Sequence, residues 1–270
     1  MVAIPHIMGI VNITPDSFSD GGAYHSVEAA LAHMEQLLAD GAAVLDIGAE
    51  STRPNAVSLS AEEEWERLSP VLSAARKRFA DALLSVDTRH SQTARNALAS
   101  GADWINDVSG GQDPAMLETV AEAGCVYVAM HSLSIPADPA NVLPEETDVV
   151  KAMAGWMQRR RTDFMQAGIA EDKLLFDPGI GFGKTAGQSW QLLRAAKELA
   201  DAAGGALLIG HSRKSFLSTV SNASAQERDL ETHVISSALV DSGVRYLRVH
   251  DVAGTRRALA VAGTLAGEGR

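Results

Sequence analysis

VLDIGAESTRPNAVSLSAEEEWERLSPVLSAARKRFADALLSVD, residues Val44 to Asp87, holds one complete structural repeat of the chain. It opens on a short apolar run, Val44–Gly48, and closes on another, Leu83–Asp87. Runs of nearly continuous apolar residues suit parallel strands covered on both faces. Between them lies an amphipathic helical stretch, Ala61–Phe79. Ser60 precedes it with Glu63 three positions on, the pattern of a capping box. Strand, helix and strand in that order make a βαβ unit, and such units build a parallel sheet.

The same pattern extends in both directions. Apolar runs at Ile7–Val11, Trp104–Val108, Val126–Met130, Leu174–Asp177, Ala206–Gly210 and Tyr246–Val249 bring the strands to eight. Helical patterns lie at Ser26–Asp40, Ser91–Ser100, Pro114–Ala123, Glu145–Ala167, Ser189–Ala203, Glu227–Ser242 and Val252–Ala266. Gly41, Gly101 and Gly243 precede strands two, four and eight. They fit helix C′ positions, where positive φ is needed. Eight units suggest a closed (β/α)8 barrel of TIM type, which takes about 250 residues. An open doubly wound sheet is the alternative, because connectivity alone does not prove closure. No linker or composition break divides the chain, so one domain over residues 1–270 is expected.

Composition sets the outer limits. Hydrophobic residues are 46% and charged residues 21% of the chain, ordinary for a globular protein. A net charge of −11 argues against a general nucleic-acid binder. It leaves room for an anionic small substrate, since a local basic cluster can oppose the global sign. The one cysteine, Cys125, sits in an apolar run and reads as a buried thiol in a reducing compartment. The first residues show neither a basic leader nor a spanning apolar stretch, so the cytoplasm is expected and a membrane is not.

Polar residues gather where the strands end. Asn12, Asp46, Glu50, Asp87, Asn106, Asp107, His131, Asp177, His211, Lys214, Arg248 and His250 lie in the C-terminal parts of the eight strands or just beyond. Barrel enzymes place their chemistry at that mouth. Any single carboxylate there can instead cap the next helix. Polar groups at all eight strand ends are harder to explain that way, because buried polar atoms cost free energy unless partnered. Two connecting loops, Ile13–His25 and Ala49–Leu59, are long and rich in Ser, Thr, Asp, Gly and Pro, as expected of lids. Asp177–Thr185, DPGIGFGKT, resembles a phosphate loop but carries Pro178 where a Walker A motif needs Gly. We read it as a loop that keeps Asp177 and Phe182 in the pocket and leaves Lys184 at the solvent. The sequence has no zinc-ligand pattern and no nucleophile elbow.

Seven motifs together resemble one family. MGIVNITPDSFSDGG (Met8–Gly22), ESTRP (Glu50–Pro54), SVDT (Ser85–Thr88), INDVSGG (Ile105–Gly111), DPGIGFGKT, GHSRKSF (Gly210–Phe216) and RVHD (Arg248–Asp251) resemble the dihydropteroate synthases of the pterin-binding family, in order, over almost the whole chain. The resemblance implies a transferase of folate biosynthesis that joins 6-hydroxymethyl-7,8-dihydropterin diphosphate to para-aminobenzoate and releases pyrophosphate. It implies that Asp87, Asn106 and Asp177 hold the pterin's aminopyrimidine edge, with Val108, Met130, Phe182, Gly210 and Lys214 lining the slot. An ionised Asp accepts paired N–H bonds, and Asn both donates and accepts, which suits that edge. Met130 and Phe182 also read as plain core residues.

Further roles come from the same resemblance. Asn12, Arg248 and His250 would bind the diphosphate, with Mg²⁺ at Asn12. Phe18, Thr52, Arg53, Pro54 and Ser215 would hold para-aminobenzoate, its carboxylate at Ser215 or at a helix N-terminus. Asp20, Arg53, Asp87 and Lys214 would be the catalytic set. Pyrophosphate would leave first, and the aromatic amine would then attack. A homodimer is a further implication, the family is a sulfonamide target, and no Phe-Gly type insertion of the sulfonamide-insensitive kind follows SVDT. Ala49 and Asn55 stand where many members carry Gly, and MHSLSIPADPANVLPEE after the fifth strand departs from the usual short pattern. A folate- or corrinoid-linked methyltransferase explains Asp87, Asn106 and Asp177 but not GHSRKSF. A non-catalytic pterin-binding paralogue would not need Asp20, Arg53, Lys214 and Arg248.

Overall fold

Eight parallel strands alternate with helices in a computed structural model that describes residues 2–13, 22–52 and 56–267, with residues 22–26 described by backbone alone. The strands are β1 His6–Asn12, β2 Val44–Gly48, β3 Leu83–Asp87, β4 Trp104–Asp107, β5 Val126–Met130, β6 Leu174–Asp177, β7 Leu208–Ile209 and β8 Tyr246–Val249. The helices are α1 Gly22–Asp40, α2 Ala61–Arg78, α3 Ser91–Ala99, α4 Met116–Ala123, α5 Val149–Gln166, α6 Ala186–Arg194, α7 Ala196–Ala202, α8 Asp229–Ala238 and α9 Val252–Leu265.

The strand order β6-β5-β4-β3-β2-β1-β8-β7 leaves β6 and β7 as the two ends. A parallel bridge between Phe176 and Leu207 joins them, and the Phe176 N–H donates to the Ala206 carbonyl at 2.8 Å. The barrel is therefore closed, and the open-sheet alternative fails at that seam. On its other side Leu207 meets the start of β8, where its carbonyl accepts the Arg245 and Tyr246 N–H groups at 2.8 and 3.2 Å.

Local chemistry accounts for most element ends. The Ser60–Glu63 capping box opens α2. A second one, Thr185–Gln188, opens α6 three residues before the helix expected from periodicity. That expected helix, Ser189–Ala203, is two helices, because Ala195 leaves helical geometry (φ −94°, ψ 19°) without a Gly or Pro to announce it. Gly41, Gly101 and Gly243 all adopt positive φ, as expected for chain reversals after helices. Cys125 is buried, and burial lifts its thiol to about 11, as suits a structural role. Helix α1 begins at Gly22, inside the stretch read as a loop.

The β period of two sorts the strand side chains into an outer and an inner set. Leu45, Ile47, Leu84, Val86, Ile105, Tyr127, Phe176, Ile209 and Leu247 pack with the helices in the large core. Met8, Val44, Trp104, Val128, Leu175 and Leu208 form a separate apolar plug, with Tyr246 against it. Two residues further along the same faces stand Asp46, Asn106, Met130, Asp177, Gly210 and Arg248, with Ser85 and Asp87 on β3. The barrel interior thus changes from an apolar tier to a polar tier toward the C-terminal mouth.

Candidate active site

The polar tier is bonded through one carboxylate. Asp46 has no solvent exposure. Its Oδ1 accepts from Ser85 Oγ at 2.6 Å. Its Oδ2 accepts from Asn106 Nδ2 at 3.0 Å and from Arg248 Nε at 2.6 Å. The other branch of the guanidinium, Nη2, donates to Asp87 Oδ2 at 2.7 Å. Register makes this possible: Asp46 pairs with Ser85 and Asp87 with Asn106 across neighbouring strands. A charge removed from water is retained only with partners, and each charge here has them. Burial works against the Arg248 charge, but Asp46 and Asp87 outweigh it and hold its pKa above the ordinary value. Burial lifts the Asp87 carboxyl to about 7, with Arg248 opposing and Asp46, Glu64 and Asp107 adding to the rise.

The second wall comes from β6 and the loop after it. Asp177 is buried, and its Oδ1 accepts the Gly179 N–H at 2.7 Å. Gly179 has φ 68°, and a Cβ there would run into the His131 carbonyl, so only glycine lets the chain turn back over the carboxylate. Burial raises the Asp177 pKa, opposed first by Lys214. Lys214 Nζ donates to the Ile180 carbonyl at 2.7 Å and stands 4.7 Å from the centre of the Phe182 ring. Burial brings its ammonium down to about 8 even though Asp177 pulls it up. Gly210 completes the wall: a Cβ there would lie 3.4 Å from Asp177 Oδ2 and 3.8 Å from Arg248 Cβ. Asp87, Asn106, Asp177, Gly210, Phe182 and Lys214 therefore share one slot. Met130 pairs in register with Asp177 beside it, and Val108 is buried after β4.

Asp107, His211 and His131, all members of the expected ring, do not face this slot. Asp107 has the outer parity of β4. It accepts from Ser109, from the Gly111 N–H and from Tyr127 Oη at 2.7 Å, and so shapes the turn after its own strand. His211 is fully buried against α8, with Nε2 3.1 Å from the Thr232 carbonyl and 3.0 Å from Ser236 Oγ. His131 turns to Lys184, whose Nζ is 2.8 Å from His131 Nδ1 and 2.9 Å from the Phe182 carbonyl. Lys184 is thus only 5% exposed, against the expectation of a solvent-facing side chain. Burial brings its ammonium down to about 7. Burial first, and then the Lys184 charge, brings His131 down to about 3.

Asn12 and His250 line a common cavity of roughly 310 Å³ together with His33 and Arg213. Arg248, expected beside them, is bonded into the slot instead. His250 Nδ1 lies 2.9 Å from Ser212 Oγ. Arg213 is fixed by two 2.7 Å bonds to Asp229 and holds a left-handed φ of 59°, rare for a side chain of that size. His33 and Arg213 carry no signal of this placement in their spacing.

The acceptor residues divide. Thr52 lies at the stem of the β2–α2 loop, where its carbonyl accepts the Ala137 N–H at 3.1 Å. Ser215 is exposed and begins a 3-10 turn, Ser215–Thr219, so no α-helix N-terminus stands there. Phe18, Asp20, Arg53 and Pro54 lie outside the described residues. Asp46 stood in the expected ring and Ser85 in the SVDT motif, but neither was expected to orient the pterin residues. Parity could have found that role, since Val44 to Asp46 steps from plug to tier as Trp104 to Asn106 does.

The profile of the pterin binding enzyme family matches residues 8–250, all four strands that carry Asp46, Asp87, Asn106 and Asp177 included. The chain belongs to that family. This pterin binding enzyme is 39% identical over 261 residues to the dihydropteroate synthase of Haemophilus influenzae, an alignment that covers 96% of this chain and 94% of that one. It is 43% identical over 263 residues to the folate synthesis bifunctional protein of Chlamydia muridarum. That match covers 95% of this chain but 58% of the relative, so the chain spans little more than half the length of that relative. The dihydropteroate synthase of Xanthomonas albilineans, solved with 4-aminobenzoic acid, superposes with a TM-score of 0.87 at 38% identity, covering 98% of this chain and 94% of that one.

Proposed function

We propose that this pterin binding enzyme is a dihydropteroate synthase acting on 6-hydroxymethyl-7,8-dihydropterin diphosphate and para-aminobenzoate. The observation that carries the reading is the polar tier above the apolar plug. It offers two carboxylates and one amide around a slot with a glycine wall and an aromatic side, the donor and acceptor set a flat aminopyrimidine needs. Asp87, Asn106 and Asp177 take the ring edge. Phe182, Met130 and Val108 flank the ring plane. Lys214 stands above Phe182, between the donor and the acceptor. Thr52 and Ser215, with Phe18, Arg53 and Pro54, take para-aminobenzoate, the ligand named for the Xanthomonas albilineans relative. Asp20 completes the catalytic set with Arg53, Asp87 and Lys214.

The reaction balances without a protein nucleophile. The bond from the pterin's exocyclic methylene to the diphosphate oxygen breaks, and its electron pair leaves with pyrophosphate. The aniline nitrogen then gives its lone pair to that carbon and loses one proton to solvent. Positive charge spreads over the pterin ring in between, and Asp87 and Asp177 stabilise it from the edge. Asn12 and His250 meet the diphosphate at the cavity they share with Arg213, and Arg248 adds its charge from the pterin slot, where Asp46 and Asp87 hold it.

Magnesium belongs with the diphosphate in this reading. Asn12 is exposed at the end of β1 and can give one amide oxygen. Among the described residues no three His, Cys, Asp or Glu side chains gather to cage an ion. One protein oxygen plus phosphate and water suits Mg²⁺ that arrives on its substrate. When bound, the ion neutralises charge on the departing pyrophosphate.

The whole chain is proposed to act as one barrel domain in the cytoplasm; among the described residues no helix is long and apolar enough to cross a membrane. A homodimer is proposed through α8 and α9, which expose Leu230, Val234, Val261 and Leu265. Light scattering should give twice the chain mass. The activity is tested by mass spectrometry of the product. A mass equal to dihydropteroate, formed only with both substrates and Mg²⁺, is expected. Methyl transfer from a reduced folate, with no such product, would contradict it.

A further inference from the structure

The loop after β5, HSLSIPADPANVLPEE (His131–Glu146), takes no part in holding the pterin or the diphosphate. We propose that its segment Leu133–Leu143 is a strap that sets how the amine acceptor is held, by fixing the stem of the β2–α2 loop through the bond from Ala137 to Thr52. This rests on the synthase reading, in which Thr52 belongs to the acceptor subsite. Ala137 is then a positioning residue, and it acts through its main-chain N–H.

The strap is built as a rigid bridge. At its far end the Leu143 N–H donates to the Gly183 carbonyl at 3.0 Å, and Gln188 Nε2 donates to the Leu143 and Pro144 carbonyls at 3.2 and 2.9 Å. Leu133 fills the space beside Gly183 that a Cβ would need. The middle is locked by Asp138. Its Oδ1 accepts the Ala140 N–H at 2.8 Å, and its own N–H donates to Ser134 Oγ at 3.1 Å. The strap therefore hangs from the loop that carries Phe182 and Lys184. From there it reaches Thr52, where Ala137 donates at 3.1 Å.

The β2–α2 loop is pinned from the opposite side as well. Arg89 after β3 binds Glu50 through two bonds of 2.9 and 3.0 Å. Glu50 Oε1 also accepts the Leu59 N–H at 3.0 Å. These bonds fasten the two feet of the loop, residues 50 and 59, to the β3 side. They do not set the direction in which the chain leaves Glu50. The bond at Thr52 does, two residues before the acceptor's Pro54. Loss of one neutral hydrogen bond at that point acts on whatever the loop binds and leaves the pterin edge untouched.

The test compares Ala137→Pro, which removes the N–H, with Ala137→Gly, which keeps it, and Asp138→Ala, which unlocks the strap without touching the bond. The parent and the three variants are assayed as full chains with Mg²⁺, dihydropterin diphosphate and para-aminobenzoate. Ala137→Pro is expected to raise the KM for para-aminobenzoate about three- to tenfold, the range one neutral hydrogen bond carries. The donor KM should hold, Asp138→Ala should lie between, and Ala137→Gly should match the parent. Hydrogen exchange over residues 49–59 should quicken in Ala137→Pro, with exchange over residues 174–185 unchanged. Acceptor and donor KM rising together, or unchanged exchange over residues 49–59, would overturn the strap. A parent chain with no acceptor-dependent turnover would overturn the synthase reading, and the exchange result would still decide the strap.

Discussion

Replacing Asp46 with Asn tests whether the polar tier works as one unit. The change keeps the shape of a side chain with no exposure and removes the charge that faces Arg248. It also sets an NH₂ group among three groups that now donate to the carboxylate: Ser85 Oγ, Asn106 Nδ2 and Arg248 Nε. Breaking a buried ion pair by removing one partner costs about 3–5 kcal/mol. Arg248 keeps Asp87, and its side chain is 20% exposed, so the loss falls at or just below the bottom of that range, about 2–3 kcal/mol. Urea unfolding should show that loss as a lower midpoint at unchanged slope. Because Asn106 is oriented by Asp46, pterin affinity measured by calorimetry should fall about tenfold or more, the equivalent of one 1.4 kcal/mol step. A cycle with Arg248→Met should give a coupling of about 0.5–3 kcal/mol, as for residues in direct contact. Stability within about 0.5 kcal/mol of the parent, as for an ordinary surface change, together with unchanged pterin affinity, would show that the tier does not act as one unit.

Asp87 near 7 and Lys214 near 8 predict a narrow pH profile. Below pH 7 Asp87 gains a proton and loses its capacity to accept two N–H bonds; above pH 8 Lys214 loses its charge. The kcat/KM profile, which reports the free enzyme, should fall on both sides. Lys214→Arg should move only the alkaline limb upward, and an alkaline limb that stays in place would remove Lys214 from that role. Gly183→Ala should cost about 2 kcal/mol, from left-handed φ and the clash with Leu133, and lower the thermal midpoint by about 4–8 °C. Gly181→Ala, with similar φ but only an ordinary 3.7 Å contact with Lys214 Cδ, is the control, and equal losses would show that the clash contributes nothing. Ser60→Ala should cost about 1 kcal/mol through the lost cap of α2, read by urea unfolding; no loss would mean that Glu63 alone secures the helix start.

Strands were the most legible feature, because a buried parallel strand writes itself as a continuous apolar run. β2, β3, β5, β6 and β8 have the bounds read from sequence. Closure was not legible, since the β6–β7 seam rests on one bridge at Leu207 with no pattern of its own. The ring at the strand ends was visible as a location. Its division was not, because Asp107 and His211 are as polar as Asn106 and Asp177 and differ only in parity or in the helix they meet. Lys184 was misplaced for a related reason. A lysine in a glycine loop suggests solvent, and only the fold shows that the His131 ring and the Phe182 carbonyl wait for its ammonium. The motifs supplied the pterin and acceptor roles. The bonds that orient those residues, from Asp46, Glu50 and Ala137, join segments far apart in the chain and leave no local signature.

Pyrophosphate release reports whether the barrel joins the two substrates. The purified chain, with Mg²⁺ and the dihydropterin diphosphate, is followed with and without para-aminobenzoate. Release should depend on para-aminobenzoate and match dihydropteroate formed one for one. Release at the same rate without the amine, or none with it, would contradict the account.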